Sequence, residues 1–187
     1  MPLLMLKDLP RYNCLLECSK RFPDLNPEAA SLFMQLLRTA DALYEVKADF
    51  LRKHNISNGR FTVLMLLTAA GSMDGHAEKN PPKSPADLAE MAGVTRATMT
   101  GLIDTLEKDG MVRRESDPRD RRAMLVHLTP KGERFTAEIL PGYFRQVTAI
   151  MGSLPPGEKM QLTTILAHVR AGIENASEVA VPLVSPV

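Results

Sequence analysis

Residues 84–134 carry the clearest structural pattern of the chain and read SPADLAEMAGVTRATMTGLIDTLEKDGMVRRESDPRDRRAMLVHLTPKGER. This stretch opens on a helix start, because the Ser84 hydroxyl can accept a hydrogen bond from a free backbone N–H of the first turn. Asp87 takes the reciprocal position of a capping box, although Asp reaches back less well than Glu. The pattern predicts a short helix that ends near Ala92 and is followed by a tight turn at Gly93.

A second helix is predicted over residues 95–109, with Thr95 as its N-cap and Gly110 as its stop. One side carries apolar residues at the spacing i, i+3, i+4 and i+7, which is typical of a helix side that faces a core: Met99, Leu102, Ile103 and Leu106. The opposite side is small and polar, and we expect it to point outward: Ala97, Thr100, Gly101, Asp104 and Lys108.

Residues 111–116 and 123–128 are predicted to form two strands joined by a polar turn, and therefore a hairpin. Within it, residues 113–122 hold five arginines and three acids, a local charge of +2, while the whole chain carries only +1. Three arginines close together in the turn favour an anionic partner: Arg119, Arg121 and Arg122. We expect Asp117 and Asp120 to brace them.

A short helix, a glycine turn, a second helix and a hairpin together predict a helix-turn-helix whose second helix enters the DNA major groove. Arg96 can read guanine bidentately, and threonines near the helix N-terminus can bond phosphates. At the hairpin tip, Arg119 suits insertion into a narrow minor groove. On the outward side of the second helix, by contrast, Asp104 would repel phosphate. The predicted DNA contacts are Thr95, Arg96, Ala97, Thr98, Thr100, Gly101, Arg119, Arg121 and Arg122.

The flanking segments predict further helices. Asn26, followed by a proline, starts a helix with a broad apolar stripe that runs to Phe50. Caps and prolines predict three more helix starts: Ser57, Thr129 and Pro155. Pro141, followed by glycine, should kink or split the helix it interrupts. Residues 1–25 show no strong period.

Composition narrows the class of protein. The 187 residues are 44% hydrophobic, with 11 Met and no Trp, which favours a helix-rich core. No apolar run approaches the ~20 residues of a membrane span, signal-peptide features are lacking, and two cysteines make no disulfide framework, so we expect a cytoplasmic protein. No nucleophile, base and electrostatic stabiliser converge, so we predict no enzyme activity, metal or cofactor.

The segment from Ser84 to Arg114 resembles the recognition segment of the MarR family of winged helix-turn-helix regulators, and residues 117–132 resemble that family's wing. The resemblance implies a mainly α fold: a winged helix-turn-helix with a small β-hairpin wing, plus long N- and C-terminal dimerisation helices. It implies an obligate homodimer on half-sites about one helical turn apart, with a recognition helix over residues 95–109 and Arg119 at the wing tip. It also implies a small effector, often aromatic and acidic, that lowers DNA affinity from a site between the dimer helices and the winged lobe.

These patterns predict five regions along the chain. They are an N-terminal extension joining the dimerisation region (1–25), a dimerisation helix (26–56), a DNA-binding lobe (57–130), C-terminal dimerisation helices (131–177) and a flexible tail (178–187). The loop at 71–83 is longer than is usual in the family, and the segment before Asn26 is an addition to its pattern.

The predicted function is that of a sequence-specific DNA-binding transcriptional regulator, a ligand-responsive repressor that binds a pseudo-palindromic operator as a homodimer. Its partners would be double-stranded DNA, a second copy and a small aromatic or acidic effector, whose binding residues the sequence does not identify. One alternative is a winged-helix protein-interaction module that does not read DNA, which the near-neutral charge favours. Another is a redox-sensing regulator that uses the thiols of Cys14 and Cys18.

Overall fold

The computed structural model describes residues 8–68, 82–118 and 123–176. These ranges contain helices and one antiparallel hairpin, in the order α1 (Tyr12–Arg21), α2 (Pro27–Lys53), α3 (Asn58–Leu67), α4 (Pro85–Ala92), α5 (Arg96–Lys108), β1 (Val112–Ser116), β2 (Met124–Leu128), α6 (Pro130–Gly152) and α7 (Pro156–Ala176). The predicted fold class, mainly α with a small β-hairpin wing, is confirmed. We call α3, α4, α5, β1 and β2 the winged lobe.

The predicted helix starts are confirmed by their caps. The Asn26 side chain accepts a hydrogen bond from the Ala29 backbone N–H at 3.0 Å, and Ser57 accepts one from Arg60. At α4 both halves of the capping box form, since Ser84 Oγ accepts from the Asp87 N–H at 3.1 Å and Asp87 accepts from the Ser84 N–H at 3.2 Å. These bonds satisfy backbone donors that a helix start leaves without an intrahelical partner.

Apolar side chains of every element of the winged lobe form its core. Phe61 and Leu64 come from α3, and Leu88 comes from α4. The predicted core side of α5 supplies fully buried side chains, Met99, Ile103 and Leu106, and the strands add Val112 and Val126. Leu102 departs from the prediction because it is only half-buried; it packs against the backbone of α3 at Gly59, where an added Cβ would lie 2.9 Å from its Cδ2.

The hairpin is tied to the start of α4. Its antiparallel register pairs Val112 with Leu128 and Arg114 with Val126. On the other edge of β2, Val126 donates to the Lys83 carbonyl at 2.9 Å and accepts from the Lys83 N–H at 3.3 Å. Lys83 directly precedes the α4 cap, so the wing and the helix-turn-helix are joined by backbone hydrogen bonds.

Tight turns and one close approach fix the ends of α4, α5 and α6. Gly93 and Gly110 follow α4 and α5 with φ of +63° and +70°, a region that glycine enters at low cost. Gly132 lies buried in the first turn of α6, where an added Cβ would collide with the Met111 carbonyl oxygen. The start of α6 therefore rests directly on the segment that enters β1.

Two features of the fold differ from the sequence expectations. Residues 12–21 form α1, which packs on α2 and buries Leu15, although the sequence showed no strong period there; Arg11 at the N-cap position makes no side-chain cap hydrogen bond, so no start signal marks this helix. Of the predicted kink or split at Pro141, the split is wrong, since α6 continues through it. A proline removes one backbone donor, and the remaining hydrogen bonds on either side sustain the helix.

The chain divides into two compact units, residues 1–139 and 140–187. In the first unit, α2 buries only Leu51 and leaves Leu32 and Phe33 exposed. In the second unit, no residue of α7 is buried, and Ile165 and Ile173 are exposed. None of the helices in the described ranges has the length and hydropathy needed to cross a membrane.

Candidate nucleic-acid interface

The predicted outward side of α5 is open. Its five residues, Ala97, Thr100, Gly101, Asp104 and Lys108, are all exposed. A Cβ built at Gly101 would meet no protein atom within 4 Å, so the absence of a side chain there serves no internal packing. A second molecule can therefore approach the α5 backbone closely at this point.

The first turn of α5 uses its hydroxyl groups internally. Thr95 Oγ1 accepts the Thr98 N–H at 3.1 Å, and the two hydroxyls lie 2.9 Å apart. The Thr100 hydroxyl donates to the Arg96 carbonyl at 2.9 Å. The exposed Arg96 side chain, by contrast, forms no ion pair or hydrogen bond with the described residues. Its guanidinium is thus the available donor group at the positive end of the helix dipole.

A groove of about 390 Å³ lies beside this turn. We call it the wing-base groove, and its lining comes from the start of α4, the first half of α5 and the start of β2: Ser84, Pro85, Ala86, Arg96, Thr100, Ala123 and Met124. One positive side chain and a helix N-terminus share the groove with small and apolar groups. The groove can therefore bind an anionic backbone through Arg96 and the helix N-terminus, although no buried charged side chain of the described residues lines it.

Arg114 on β1 joins the wing to α5. Its guanidinium donates to Asp104 at 2.6 Å and to Glu107 at 2.6 Å, and its backbone N–H donates to the other Glu107 oxygen at 3.0 Å. Burial opposes the charge, but the hydrogen bonds and charges of Asp104 and Glu107 prevail and raise the pKa of Arg114. The carboxylate that argued against DNA binding, Asp104, is therefore paired within the chain.

Arg113 is also paired, on the other face of the strand. Its Nε donates to Glu115 at 2.6 Å, and His127 Nε2 lies 3.4 Å from the same carboxylate. The hydrogen bond from Arg113 lowers the pKa of Glu115. In the sequence, Arg113 and Arg114 contribute to the local positive charge of residues 113–122. Because both pair with carboxylates of the chain, they offer less positive charge to a partner than that sum indicates.

The last turn of α5 is held from two sides. Arg60 of α3 donates to the Asp109 carboxylate at 2.8 Å, and Lys131 of α6 donates to the Asp109 carbonyl at 2.7 Å. With Arg114, these contacts fix the C-terminal half of α5, while its N-terminal half stays open.

The wing tip falls outside the described residues, and with it Arg119, Asp120, Arg121 and Arg122. At its edge, the Asp117 N–H donates to the Ala123 carbonyl at 2.9 Å, which closes the hairpin around the turn. The bracing roles of Asp117 and Asp120 remain predictions. The loop at 71–83 lies almost entirely outside the described ranges as well.

Other candidate groups lie on the N-terminal helices. Cys14 is exposed and Cys18 is half-buried on α1, and both are free thiols. Lys47 of α2 places its Nζ 5.7 Å from the centre of the Phe61 ring, and burial lowers the pKa of Lys47. Within the described ranges, no three His, Cys, Asp or Glu side chains gather as a metal site would require.

Sequence reasoning missed the roles of Arg60 and Arg114, although one signal for Arg114 was present. Side chains alternate along a strand, so Arg114 shares a face with the buried Val112. A charged residue on that face requires a partner, and Asp104 and Glu107 are one turn apart on the neighbouring helix. Arg60 and Asp109 are 49 residues apart, and no local pattern links them.

Comparisons with known proteins agree with this geometry. A family model described as the MarR family matches residues 56–124. The HTH-type transcriptional repressor YetL of Bacillus subtilis (strain 168) is 31% identical over 164 residues, 88% of this chain and 93% of YetL. The homoprotocatechuate degradative operon repressor of Escherichia coli is 28% identical over 156 residues, 81% of this chain and 95% of that repressor.

A solved structure of NadR in complex with 4-hydroxyphenylacetate matches with a TM-score of 0.57 and 26% identity, over 73% of this chain and 89% of NadR. The fold and the open face of α5 define a winged helix-turn-helix, DNA-binding transcriptional regulator. The chain belongs to the MarR family.

Proposed function

We propose that this regulator is a ligand-responsive repressor that binds a pseudo-palindromic operator as a homodimer in the cytoplasm. The observation that carries the proposal is the open face of α5, where Gly101 leaves the backbone accessible beside the available guanidinium of Arg96. Repression is the activity named for two of its relatives, YetL and the homoprotocatechuate degradative operon repressor.

In the proposed complex, α5 lies in the major groove with its N-terminal half nearest the bases. Arg96 contacts a guanine edge or the adjoining phosphate, and Ala97, Thr100 and Gly101 allow close approach. One DNA backbone runs through the wing-base groove, where the N-terminus of α4 favours a phosphate. Arg119 at the wing tip enters the neighbouring minor groove, with Arg121 and Arg122 near the backbone.

The proposed homodimer rests on the exposed apolar residues of the long helices. Leu32 and Phe33 of α2 are 63% and 62% exposed, and Ile165 of α7 is 55% exposed. Large apolar side chains that stay exposed along a long helix mark an interaction surface. A second copy would cover these residues and would place two α5 helices on the two half-sites of a palindrome.

The experiment measures the binding of the full chain to labelled duplexes by fluorescence anisotropy. One duplex carries the region upstream of the chain's own gene, a second carries the same bases in scrambled order, and salt is varied from about 50 to 200 mM. We expect tighter binding to the upstream duplex and a steep fall of log affinity with log salt. No binding to either duplex at low salt would favour the protein-interaction alternative.

We infer that the effector is an aromatic acid. Lys47 is a half-buried cation on α2, and such a group suits a ligand that carries a carboxylate. NadR, at 26% identity, has been solved with 4-hydroxyphenylacetate. A ligand lowers operator affinity only if it prefers the conformation that does not fit DNA.

The effector proposal is tested by titrating 4-hydroxyphenylacetate, and its neutral amide as the control, into the preformed DNA complex. We expect the acid to release DNA at lower concentration than the amide, and Lys47→Met to remove that difference. Lys53→Met is the matched control, since its side chain is 75% exposed on the same helix. Equal effects of acid and amide on the unmodified chain would contradict a role for Lys47.

The thiol alternative makes a separate prediction. If Cys14 and Cys18 carried the regulation, mild oxidation would release DNA and a Cys14→Ser, Cys18→Ser chain would resist it. We expect no such difference.

A further inference from the structure

Arg114 connects the recognition helix to the wing through both its side chain and its backbone. The guanidinium bonds Asp104 and Glu107 at 2.6 Å each, and the Arg114 N–H bonds the second Glu107 oxygen at 3.0 Å. Glu107 thus bridges the side chain and the main chain of one residue. This double attachment sets the position of β1 against α5.

The same contacts change the charge of the surface that would meet DNA. Asp104 lies one turn beyond Thr100 on the open side of α5, and its side chain is 58% exposed. Glu107, one turn further, is 39% exposed. Without Arg114, two carboxylates would stand unpaired next to a phosphate backbone, and like charges weaken such an approach.

The exposed fractions of the three side chains indicate whether Arg114 contributes more to folding or to DNA binding. An exposed ion pair such as that with Asp104 contributes little to folding. The Arg114 side chain is only 22% exposed and makes two charge-assisted hydrogen bonds, so it holds a defined position. Its loss should therefore affect DNA binding more than it affects the fold.

An arginine on β1 does not pair with the carboxylates of α5 merely because of its charge, as the neighbouring Arg113 shows. It sits next to Arg114, has the same charge, and pairs with the exposed Glu115 on its own strand rather than with α5. The two arginines therefore differ in partner but not in charge. This makes Arg113 a matched control.

We propose that Arg114 is a positioning residue for DNA recognition, which neutralises the carboxylates of Asp104 and Glu107 on α5 and fixes the wing strand to that helix. The proposal rests on the proposed DNA-binding function. It assigns Arg114 to contacts within the chain rather than to DNA, unlike the arginines predicted at the wing tip.

The test compares the affinities of five full-length chains for the upstream duplex: the unmodified chain, Arg114→Gln, Arg113→Gln, Asp104→Asn, and Arg114→Gln combined with Asp104→Asn. We expect Arg114→Gln to lose roughly tenfold in affinity and Arg113→Gln to lose about twofold or less. Asp104→Asn alone should stay within about twofold, because Asp104 is already paired. The double variant should recover about half of the logarithmic loss, since it removes one unpaired carboxylate and leaves β1 detached.

Several outcomes would overturn the proposal. Equal losses in Arg114→Gln and Arg113→Gln would mean that net charge alone matters, and no recovery in the double variant would remove the charge role. If Arg114→Gln does not fold, Arg114→Lys decides: an ammonium cannot bond both carboxylates as a guanidinium does, so we expect about a threefold loss, and unchanged affinity would exclude the positioning role. Failure of the unmodified chain to bind DNA is a distinct result, which removes the proposed function itself.

Discussion

The winged lobe and the helix α7 use their apolar residues in opposite ways. In the winged lobe, Leu64, Ile103 and Val126 have no exposed surface. In α7, Ile165 and Ile173 remain 55% and 61% exposed, and no residue of the helix is buried. The lobe therefore completes its core within one chain. The apolar side of α7 has the character of half an interface, which is why we assign its completion to a second copy.

We expect the largest loss of DNA affinity from a substitution that disrupts the apolar side of α7 and leaves the winged lobe folded. Ile165→Glu would place an unpaired charge in the proposed interface, so we expect the chain to become monomeric and operator affinity to fall about a hundredfold. Sedimentation velocity and DNA titration measure the two effects, and circular dichroism should still report a folded lobe. Thr163→Glu, on the opposite side of the exposed α7, is the control and should leave the dimer intact. A dimeric Ile165→Glu chain would place the interface elsewhere.

A second substitution disturbs the contact between the start of α6 and the segment that enters β1, and leaves the exposed apolar side of α7 unchanged. Gly132→Ala places a Cβ against the Met111 carbonyl oxygen, and relief requires movement of the backbone that enters β1. We expect the free energy of unfolding to fall by about 2 to 3 kcal/mol, measured in urea. Gly152→Ala, in the same helix but with open space around the new Cβ, should cost little. Similar stabilities for the two variants would contradict the close approach of α6.

Local signals in the sequence predicted the lobe well, and for a physical reason. The Ser84 capping box, the Thr95 cap and the left-handed Gly93 depend on residues within one turn of each other. The core side of α5 follows from helical period alone. Such features need no knowledge of the rest of the chain.

Contacts between residues that are distant in the sequence could not be predicted from such local signals. The pairing of Arg114 with Asp104 depends on how β1 returns beside α5, and the Arg60–Asp109 bond joins residues that only the folded lobe brings together. The sequence therefore assigned Asp104 as a phosphate-repelling group and missed its partner. Helix α1 is only 10 residues long and has no capping side chain at Arg11, so the sequence offered no start signal for it.

Within the lobe, the proposed DNA contacts can be tested one by one. Arg96→Ala removes the donor group at the first turn of α5, and we expect about a tenfold loss of operator affinity together with relaxed base preference. A panel of duplexes with single base changes measures both. Because Arg96 is exposed and has no partner among the described residues, unfolding in urea should be unchanged. Retained affinity and preference would mean that α5 is docked differently.

The wing-tip prediction concerns the minor groove. Arg119→Ala should weaken binding about fivefold, and most at sites with A·T-rich flanks, where a narrow groove concentrates negative potential. Duplexes that differ only in their flanks give the comparison. A loss that is the same for A·T-rich and G·C-rich flanks would indicate a phosphate contact instead.

The smallest changes are expected at Gly101, where one substitution should raise the stability of α5 and lower its affinity for DNA. Gly101→Ala adds a methyl group in open space and should stabilise α5 by up to about 1 kcal/mol, since alanine is the better helix former. The same methyl group would lie between α5 and DNA, so we expect a loss of affinity of about threefold. Thermal unfolding and anisotropy measure the two changes. Improved stability with unchanged affinity would show that the backbone at 101 is not close to DNA.

In the proposed complex, each chain carries a complete DNA-binding lobe and two chains act together on one operator. Sedimentation equilibrium of the full chain, alone and with a fluorescent upstream duplex, tests this arrangement most directly. We expect a free species with the mass of two chains and a complex with two chains per duplex. A free monomer that binds the duplex one chain at a time would contradict this arrangement.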